Sequence, residues 1–390
     1  MSAAAVGMNI DTFILNVKSQ REFPPELAAQ LDQLKQASQE IEDDLLTPFT
    51  FAGERLFIKP HGSGRQWRWI LHSPSLHLDI GKGKRTAIIG KARLAAAFLW
   101  EHEIGVALST LYGFVDGFYG IPFMLQVSEV HLCVDVAGWA LSLNDTRAFI
   151  ARSVNKGVRL VDETDDEAQT DDLSNAETPQ QMQVSMNRRR CSTFDFSKGG
   201  AHSCCIYDKT TEIAVSRKDW MQEVWVENGW DGASRVTRVE FRYKRECLKE
   251  MGVEEAYAFL DQIPGLWAYS TKRWLRHTMP TADPNRTRWP LSEAWEAVQK
   301  ASFFCDGTPA VRERKTAGDL KLICQMMAGC SSTASALLTN VLPAKDDGTH
   351  FLIWFWDWLE KYLDEKGISF EQMCAFKRER LGVLSRNTAA

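Results

Sequence analysis

Paired cysteines at the spacing of a metal or redox site are missing from this sequence. Its nine cysteines are scattered, mostly among apolar residues, and no CxxC motif occurs. A structural zinc site needs four ligands at close spacings, so the sequence offers none. An odd number of cysteines in a chain of 390 residues predicts reduced thiols in the core of a cytoplasmic protein.

Long apolar runs are also absent. No run reaches the roughly 18 residues that a membrane span needs. The densest apolar segment, residues 351–358 (FLIWFWDW), is short and contains an acid. The first residues lack the basic segment and apolar stretch of a signal peptide. We therefore expect no membrane partner.

The motifs of several enzyme classes do not occur. The sequence contains no GxGxxG after a strand, no GxSxG and no HExxH, and its eight histidines are dispersed. Dinucleotide-enzyme, α/β-hydrolase and zinc-peptidase chemistry therefore have no support. The segment GKGKR at residues 81–85 lacks both the spacing of a phosphate-binding loop and the helix that follows one, so we do not predict that function for it.

Acidic charge is concentrated in one tract. The formal net charge is -5, but residues 161–180 hold eight acids and no Lys or Arg. Without those eight charges the remainder has a net charge of +3. Low hydrophobicity and like charge predict a disordered or extruded insert at about residues 161–182. Basic patches elsewhere, rather than the net charge, would set the field that a nucleic acid meets.

Two segments at the centre of the chain alternate as strands do. In SRVTRVEFRYKR (residues 234–245), Val239, Phe241 and Tyr243 share one face, and Glu240 lies among basic residues on the other. AHSCCIYDK (residues 201–209) and VSEVHLCVDV (residues 127–136) are further predicted strands. Shorter β-type runs with turn residues between them cover residues 50–94. Residues 144–159 are predicted to form a helix that begins at Asn144 or Asp145.

These patterns predict an α+β fold in three parts. Residues 1–48 form a helical appendage, in which Leu27, Leu31, Leu34 and Ile41 make one apolar face after Pro24 and Pro25. Residues 49–300 form an α+β core around an antiparallel sheet. Residues 301–390 form an all-helical C-terminal domain, with helices at residues 317–327, 332–341 and 350–366.

Carboxylates on strands are the candidate site residues. Asp135 lies inside an apolar strand, and Glu240 shares its face with arginines. A Mg²⁺ or Mn²⁺ ion takes two or three converging carboxylate oxygens and completes its shell with water. The other interpretation, a structural ion pair, stays open for both residues, because a buried acid needs a cation of either kind.

The order of four segments resembles the replication-initiation-factor family. The segments are HLCVDVAGW, STFDFSKGG, CCIYDKTTEI and RVTRVEFRYKRE. That family includes rolling-circle plasmid initiators of the trans-acting Rep type and MobT/NicK-type relaxases of mobile elements. A later stretch, LWAYSTKRWLRHTMP, is similar to a subgroup of initiators from mobile elements. The resemblance covers roughly residues 50–299.

The resemblance implies a Rep- or relaxase-like core that recognises the DNA of a replication or transfer origin, single-stranded or in a hairpin. Active members nick one strand with a tyrosine, form a 5′-phosphotyrosine link and later rejoin the strand. A divalent cation, Mg²⁺ or Mn²⁺, assists them at strand carboxylates. Asp135 and Glu240 match the family's strand acids, so the resemblance implies that these two residues are the metal ligands.

The family's nucleophilic tyrosine is missing from its expected strand. Residues 193–199 read TFDFSKG, and phenylalanine has no attacking oxygen. Tyr207 is the nearest tyrosine in sequence and the candidate nucleophile, although its position in IYDK is also one for packing. Two alternatives follow: the nucleophile has moved to Tyr207, or the chain is a Rep-like DNA-binding scaffold that does not cut.

Basic residues near tryptophans predict DNA contact. Guanidinium groups suit phosphates, and the indole rings of Trp274 and Trp289 suit stacking on unpaired bases, although most of the 14 tryptophans belong in a core. The candidate DNA-binding residues are Arg188, Arg189, Arg190, Lys198, Arg238, Arg242, Lys244, Lys272, Arg273, Arg276, Arg286 and Arg288.

Further partners follow from the same hypotheses. A scaffold of this kind would recruit a helicase or other replication proteins through its N-terminal helix and its C-terminal domain, and the N-terminal helix could also form a homodimer. A cytoplasmic interaction protein unrelated to DNA is the remaining alternative.

Overall fold

The computed structural model describes residues 3–83, 87–152, 158–162, 182–187, 190–301, 349–365, 369 and 371. The chain divides into two compact units, Met1–Arg312 and Glu313–Ala390. Among the residues described, no helix is both long and apolar enough to cross a membrane.

One large sheet dominates the first unit. Its strands lie side by side in the order β2-β3-β4-β5-β6-β1-β7-β13-β12-β11-β10-β9, and every neighbouring pair is antiparallel except β9 and β10. The strands are β1 (Ala4–Lys18), β2 (Leu45–Phe51), β3 (Glu54–Ile58), β4 (Trp69–His72), β5 (Leu76–Ile80), β6 (Ile88–Leu94), β7 (Met124–Ala137), β8 (Phe149–Ala151), β9 (Val158–Asp162), β10 (Met182–Asn187), β11 (Arg190–Phe196), β12 (His202–Asp208), β13 (Val236–Lys244) and β14 (Leu275–His277). Strands β8 and β14 pair separately.

In the described part of the first unit, helices pack on one face of the sheet, and two of them, Lys209–Ser216 and Trp220–Glu227, pack on one end of the other face. The helices are α1 (Pro25–Ile41), α2 (Ala96–Glu101), α3 (Ile104–Tyr119), α4 (Asp145–Ala148), α5 (Lys209–Ser216), α6 (Trp220–Glu227), α7 (Arg245–Glu250), α8 (Ala256–Ala268) and α9 (Glu293–Lys300) in the first unit and α10 (Thr349–Glu365) in the second. A π-helical turn, Tyr269–Trp274, continues α8.

The main core lies between the sheet and α1, α3, α7, α8 and α9. It takes the apolar side chains of the central strands, such as Leu132, Val134 and Phe241. A smaller aromatic cluster on the opposite face joins Val236 to Met221 and Trp225 of α6. Alternation of side chains along each strand separates these two clusters, as the sequence pattern predicts.

The predicted central strands are confirmed. Residues 201–209, 234–245 and 127–136 correspond to β12, β13 and β7, and the short runs after residue 50 give β3 to β6. The prediction of an α+β fold with an antiparallel sheet is confirmed on the same strands.

The N-terminal segment is not a helical appendage. The predicted helix exists as α1, with Leu27 and Leu31 buried in the core. However, residues 4–18 form β1, which lies inside the sheet and pairs with β6 on one side and β7 on the other. The prediction of a helical appendage is wrong, because residues 4–18 supply a central strand of the sheet.

The helix predicted for residues 144–159 is also wrong. Among the described residues of this segment, only Asp145–Ala148 are helical, and the chain then continues as β8, which pairs with β14. Of the C-terminal helices, residues 350–366 correspond to α10. The helices predicted at 317–327 and 332–341, and residues 163–181 of the acidic insert, lie outside the described residues.

Candidate functional site

Polar side chains share one face of the two strands at the centre of the sheet. His131, Cys133 and Asp135 alternate along β7, and Arg242, Glu240 and Arg238 lie opposite them on β13. Directly opposed residues of antiparallel strands point to the same side, so these six side chains form one surface, called here the polar face. The aromatic cluster of α6 covers the end at Asp135 and Arg238.

The covered end holds a buried ion pair. Arg238 is fully buried, and it donates to Asp135 from Nε at 2.6 Å and from a terminal nitrogen at 2.8 Å. Its other terminal nitrogen donates to Asp11 of β1 at 2.6 Å, and its guanidinium lies 5.3 Å from the centre of the Trp100 ring. Trp225 Nε1 donates to Asp135 at 2.8 Å. Both oxygens of Asp135 are therefore engaged by protein donors.

Glu240 occupies the middle of the polar face with three partners. Arg242 Nε lies 2.7 Å and His131 Nδ1 lies 3.1 Å from Oε1, and the Tyr207 hydroxyl donates to Oε2 at 3.4 Å. Burial would raise the pKa of Glu240, but the hydrogen bond from His131 and the charge of Arg242 outweigh it and lower the pKa to about 2. Glu240 is therefore ionised at neutral pH.

His131 joins two carboxylates. Its Nε2 lies 2.8 Å from Glu129, and its Nδ1 faces Glu240. Burial lowers the pKa of His131, but the hydrogen bonds to Glu129 and Glu240 outweigh burial, so the net shift is upward. The pairing of an ionised Glu240 with a readily protonated His131 makes this part of the face an ionic chain, Glu129–His131–Glu240–Arg242.

The two predicted metal ligands, Asp135 and Glu240, are not arranged for a shared Mg²⁺ or Mn²⁺ site. Asp135 and Glu240 are diagonal neighbours on adjacent strands, with Cα atoms roughly 7–8 Å apart. Guanidinium groups already take the oxygens that a cation would need, since Arg238 holds Asp135 and Arg242 holds Glu240. No group of three or more His, Cys, Asp or Glu side chains with metal-binding geometry occurs in the part of the chain that the structure describes.

Tyr207 lies beside Glu240, and its hydroxyl is protonated at neutral pH. Its ring is half-buried, with Lys209 Nζ 5.5 Å from the ring centre, and burial raises the pKa of its hydroxyl well above the usual value. A neutral phenol donates a hydrogen bond and attacks slowly. On the preceding strand, Phe194 and Phe196 are fully buried, which agrees with the absence of a tyrosine there.

A cleft opens next to Tyr207. It has a volume of about 830 Å³, and its walls include Arg190, Thr193, Asp208 and Arg235. Arg235 bridges Asp208 at 2.9 Å and the Thr211 hydroxyl at 3.1 Å. A second cleft of about 460 Å³ shares Arg190, Asp208 and Arg235 with the first. Two guanidinium groups therefore border the space in front of the phenol.

Three of the predicted DNA-binding residues lie together at the open end of the polar face. Lys244 and Lys198 are exposed and Arg242 is half-exposed. Lys244 Nζ donates to the backbone oxygen of Gly199 at 3.0 Å, and Lys198 lies 3.5 Å from Asp195. We call Lys198, Arg242 and Lys244 the basic rim.

Other predicted DNA-binding residues are placed differently. Arg238 is buried in the ion pair described above, so its prediction as a DNA contact is wrong. Arg286 donates to the backbone oxygens of Arg147 and Phe149, so its guanidinium stabilises the local fold. Lys272, Arg273 and Arg288 are exposed, and Arg276 is half-exposed. Arg190 is exposed beside the cleft, whereas Arg188 and Arg189 lie outside the described residues.

The two tryptophans predicted to stack on bases are buried. Trp274 packs against His202 and Phe241, and Trp289 Nε1 donates to the backbone oxygen of Asp283 at 2.8 Å. The stacking prediction is wrong because these rings fill the interior, as most tryptophans in a globular protein do.

Sequence reasoning missed His131 and Asp11 as members of the site. The alternation that selected Asp135 also places His131 on the same face, four residues earlier on the same strand, so the signal was present. Asp11 was hidden because its strand was assigned to the appendage.

Comparisons with known proteins give little further information. No protein-family model matches the chain, and no curated protein matches it. Among solved structures, the chain is similar to a rolling circle replication initiator protein from Geobacillus stearothermophilus, with a TM-score of 0.37 and 11% sequence identity. The similarity covers 79% of this chain and 100% of that one, and at this TM-score it supports no conclusion about the site.

Proposed function

We propose that this chain is a DNA-binding protein of the replication-initiator kind, which holds single-stranded or hairpin DNA of an origin against the open end of the polar face. The observation that carries the proposal is the basic rim, where Lys198, Arg242 and Lys244 meet beside the uncovered part of the sheet. The order of motifs along β7, β11, β12 and β13 supports the same function.

The charges of the rim suit phosphates. Lys198 and Lys244 are exposed, so a backbone phosphate can reach their ammonium groups. Arg242 is held by Glu240, so its guanidinium is oriented before a ligand arrives. Binding built on such contacts releases counterions and weakens as the salt concentration rises.

The test is a titration of labelled single-stranded and hairpin DNA, followed by fluorescence anisotropy at several salt concentrations. We expect the double variant Lys198→Ala/Lys244→Ala to bind more weakly. For single-stranded DNA, the slope of log affinity against log salt should become shallower by about 1.4, from about 0.7 per lost phosphate contact. Lys300→Ala, an exposed change on α9, is the control and should leave the slope unchanged. Equal slopes for the double variant and the wild type would remove the basic rim from the proposal.

Strand cleavage by Tyr207 is a second candidate function. It is favoured by the position of Tyr207, whose hydroxyl donates to Glu240 at 3.4 Å and which lines a cleft together with Arg190 and Arg235. In such a step the phenolic oxygen bonds to phosphorus, the 3′ oxygen leaves and takes up a proton, and the phenolic proton passes to solvent.

Denaturing gels distinguish cleavage from binding alone. The protein is incubated with labelled hairpin DNA and a divalent cation, and the products are run with and without protease. A protein-linked fragment that disappears in Tyr207→Phe would establish the nucleophile. Salt-sensitive binding without such a fragment would leave the scaffold function in place.

Helicase recruitment and homodimerisation stay predictions. The N-terminal helix offers them less surface than expected, because Leu27 and Leu31 of α1 face the core of the same chain.

A further inference from the structure

A second basic surface lies at the loop that joins β3 to β4 and at residues 81–83, which follow β5. A cleft of about 820 Å³ opens there, lined by Lys35, Arg65, Arg68 and Lys82 together with Trp67 and three glycines. None of the described residues in its lining is acidic. We call it the basic cleft.

The walls of the basic cleft are built by close backbone packing. A Cβ atom on Gly62 would lie 2.2 Å from the Trp67 carbonyl oxygen, and one on Gly81 would lie 2.5 Å from the Gln66 carbonyl oxygen. Ser63 and Trp67 exchange backbone hydrogen bonds of 3.0 and 3.3 Å. The Arg68 N–H also donates to the Ile80 carbonyl oxygen at 2.8 Å. This hydrogen bond and the close approach of Gly81 to Gln66 fix residues 80–81 against the loop between β3 and β4, so the cleft is formed before a ligand arrives.

Two of its cations are held in place. Arg68 donates to Asp32 at 2.8 and 3.0 Å, and Asp32 also accepts from Trp69 Nε1 at 2.8 Å. The Arg68 guanidinium and Lys82 Nζ lie 5.3 and 5.7 Å from the centre of the Trp69 ring. Lys35 Nζ donates to the backbone oxygen of Arg68 at 2.9 Å. These hydrogen bonds therefore hold the side chains of Arg68 and Lys35 in fixed orientations.

The positive charges in the basic cleft outnumber the acidic residues that the structure describes beside them. Lys35 and Arg68 lie close enough for their charges to oppose each other, and burial together with the charge of Arg68 lowers the pKa of Lys35. Asp32 balances one positive charge of the four. An anion in the cleft would relieve this repulsion and would gain charge-assisted hydrogen bonds.

We propose that the basic cleft binds phosphate groups of a DNA backbone, as a second contact for the duplex part of a hairpin whose single-stranded part lies on the basic rim. This proposal rests on the proposed function. A nucleoside triphosphate is the other source of phosphate, but the loop at residues 81–83 lacks the spacing and the helix with which a phosphate-binding loop surrounds one.

The rim and the cleft lie at the same end of the sheet, the rim on the polar face and the cleft on the side of α1, so one ligand that passes this end can contact both. Strand β5, which leads into Lys82, is separated from β13, which ends at Lys244, by β6, β1 and β7. Four spacings of about 4.8 Å place the two strands about 19 Å apart across the sheet. The register places Lys244 level with His77, so Lys82 lies about five residues, or about 16 Å, further along the strands, and the two lysines are about 25 Å apart. A duplex advances roughly 3.4 Å per base pair, so about seven base pairs cover this distance.

The test compares two hairpins with the same loop and with stems of 4 and 14 base pairs. The short stem is too short to reach from the rim to the cleft, and the long stem can reach it. We expect the wild type to bind the long-stem hairpin more tightly and with a steeper salt slope. The variant Arg65→Ala/Lys82→Ala should lose this advantage, with a slope on the long stem shallower by about 1.8, from about 0.9 per duplex phosphate. Its binding to the short-stem hairpin should be unchanged.

The two proposals fail separately in this design. If the cleft variant binds both hairpins as the wild type does, the basic cleft is not a DNA contact, and the basic rim stands. If the Lys198→Ala/Lys244→Ala variant binds like the wild type while the cleft variant does not, the proposed binding face is wrong and the cleft stands. If the wild type binds neither hairpin, both fail.

A thermal-shift measurement distinguishes the two sources of phosphate. Tripolyphosphate is added to the wild type and to the Arg65→Ala/Lys82→Ala variant. Stabilisation that is lost in the variant, without any effect of the variant on DNA affinity, would assign the cleft to a free polyphosphate and overturn the DNA proposal. The melting temperature of the variant without ligand confirms that it folds, as expected for two exposed side chains.

Discussion

Arg238 shows how a charged residue in a strand can serve the fold rather than a ligand. Its guanidinium is shared by Asp135 and Asp11, which come from β7 and β1. One side chain therefore ties three neighbouring strands together. From the sequence, a metal ligand and an ion-pair partner are equally supported at Asp135, because alternation along a strand identifies the face of a side chain but not its partner.

We expect Arg238→Met to lower the free energy of unfolding by about 3–5 kcal/mol, because it leaves Asp135 buried without its cation. Urea unfolding followed by circular dichroism measures the loss. The double variant Arg238→Met/Asp135→Asn removes the uncompensated charge and should lose less. A double variant that is no more stable than the single one would contradict this explanation.

The ionic chain at His131 makes stability depend on pH in two directions. The raised pKa of His131 adds stability that is fully present below about 6.5 and is lost as the pH rises through the raised value. The lowered pKa of Glu240 adds stability that is present above about 4.5 and is lost as the pH falls towards about 2. Both contributions are present together between about pH 4.5 and 6.5.

His131→Gln should therefore cost more stability at pH 5.5 than at pH 9. The groups that face His131 are Glu129, Glu240 and Arg242, and the carboxylates gain from its positive charge. Urea unfolding of the wild type and the variant at the two pH values gives the comparison. His61→Gln, an exposed change, should cost the same at both. A pH-independent loss for His131→Gln would mean that His131 acts through packing alone.

Among the elements, the loop between β3 and β4 shows what sequence patterns leave out. The sequence predicted short β-type runs and turns there, and it predicted no phosphate-loop function for the GKGKR segment. Neither pattern could show that residues 80–81 pack against the loop between β3 and β4, because the atom that Gly81 approaches, the Gln66 carbonyl oxygen, is distant in sequence. Short-range motifs therefore did not predict the basic cleft.

Gly62→Ala should destabilise the protein by about 1–3 kcal/mol. Its Cβ would lie 2.2 Å from the Trp67 carbonyl oxygen, so the loop between β3 and β4 must move. Gly113→Ala in α3 is the matched control, since a Cβ there meets no atom within 4 Å. The control should raise stability by up to about 1 kcal/mol, from higher helix propensity. Similar shifts in melting temperature for both variants would show that the loop between β3 and β4 is not closely packed at Gly62.

At the scale of the whole molecule, β1 holds the large sheet together. It is the strand between the β2–β6 half and the half that runs from β7 to β9. The strand patterns of β7, β12 and β13 could be recognised because each alternates in one uninterrupted segment. The pattern of β1 is interrupted by register shifts at Ala5/Gly7, Ile10/Thr12 and Ile14/Leu15, which move apolar residues between faces. Its position could not follow from local sequence, because both of its partners are distant in the chain.

Phe13→Ala in β1 should lower the free energy of unfolding by about 3–5 kcal/mol, since the ring is fully buried and packs 5.4 Å from the ring of Phe259. Tryptophan fluorescence and far-ultraviolet circular dichroism should shift together, because the two halves share this strand. Met8→Ala, at an exposed position of β1, should change stability by about 0.5 kcal/mol or less. Two separate transitions in the Phe13→Ala variant would mean that the halves fold independently.

The position of β1 also has a consequence for how the chain folds. Phe13 pairs with Leu94 and with Val130, so each register depends on closing a long loop. Contacts between residues far apart in the chain make folding slow, because the entropy of loop closure is lost before the contacts form. β1 is synthesised before either of its partners, so both of its edges are open to other strands until β6 has emerged from the ribosome, and one edge stays open until β7 has emerged. The newly made chain should therefore depend on chaperones for longer than a protein whose central strands are neighbours in sequence.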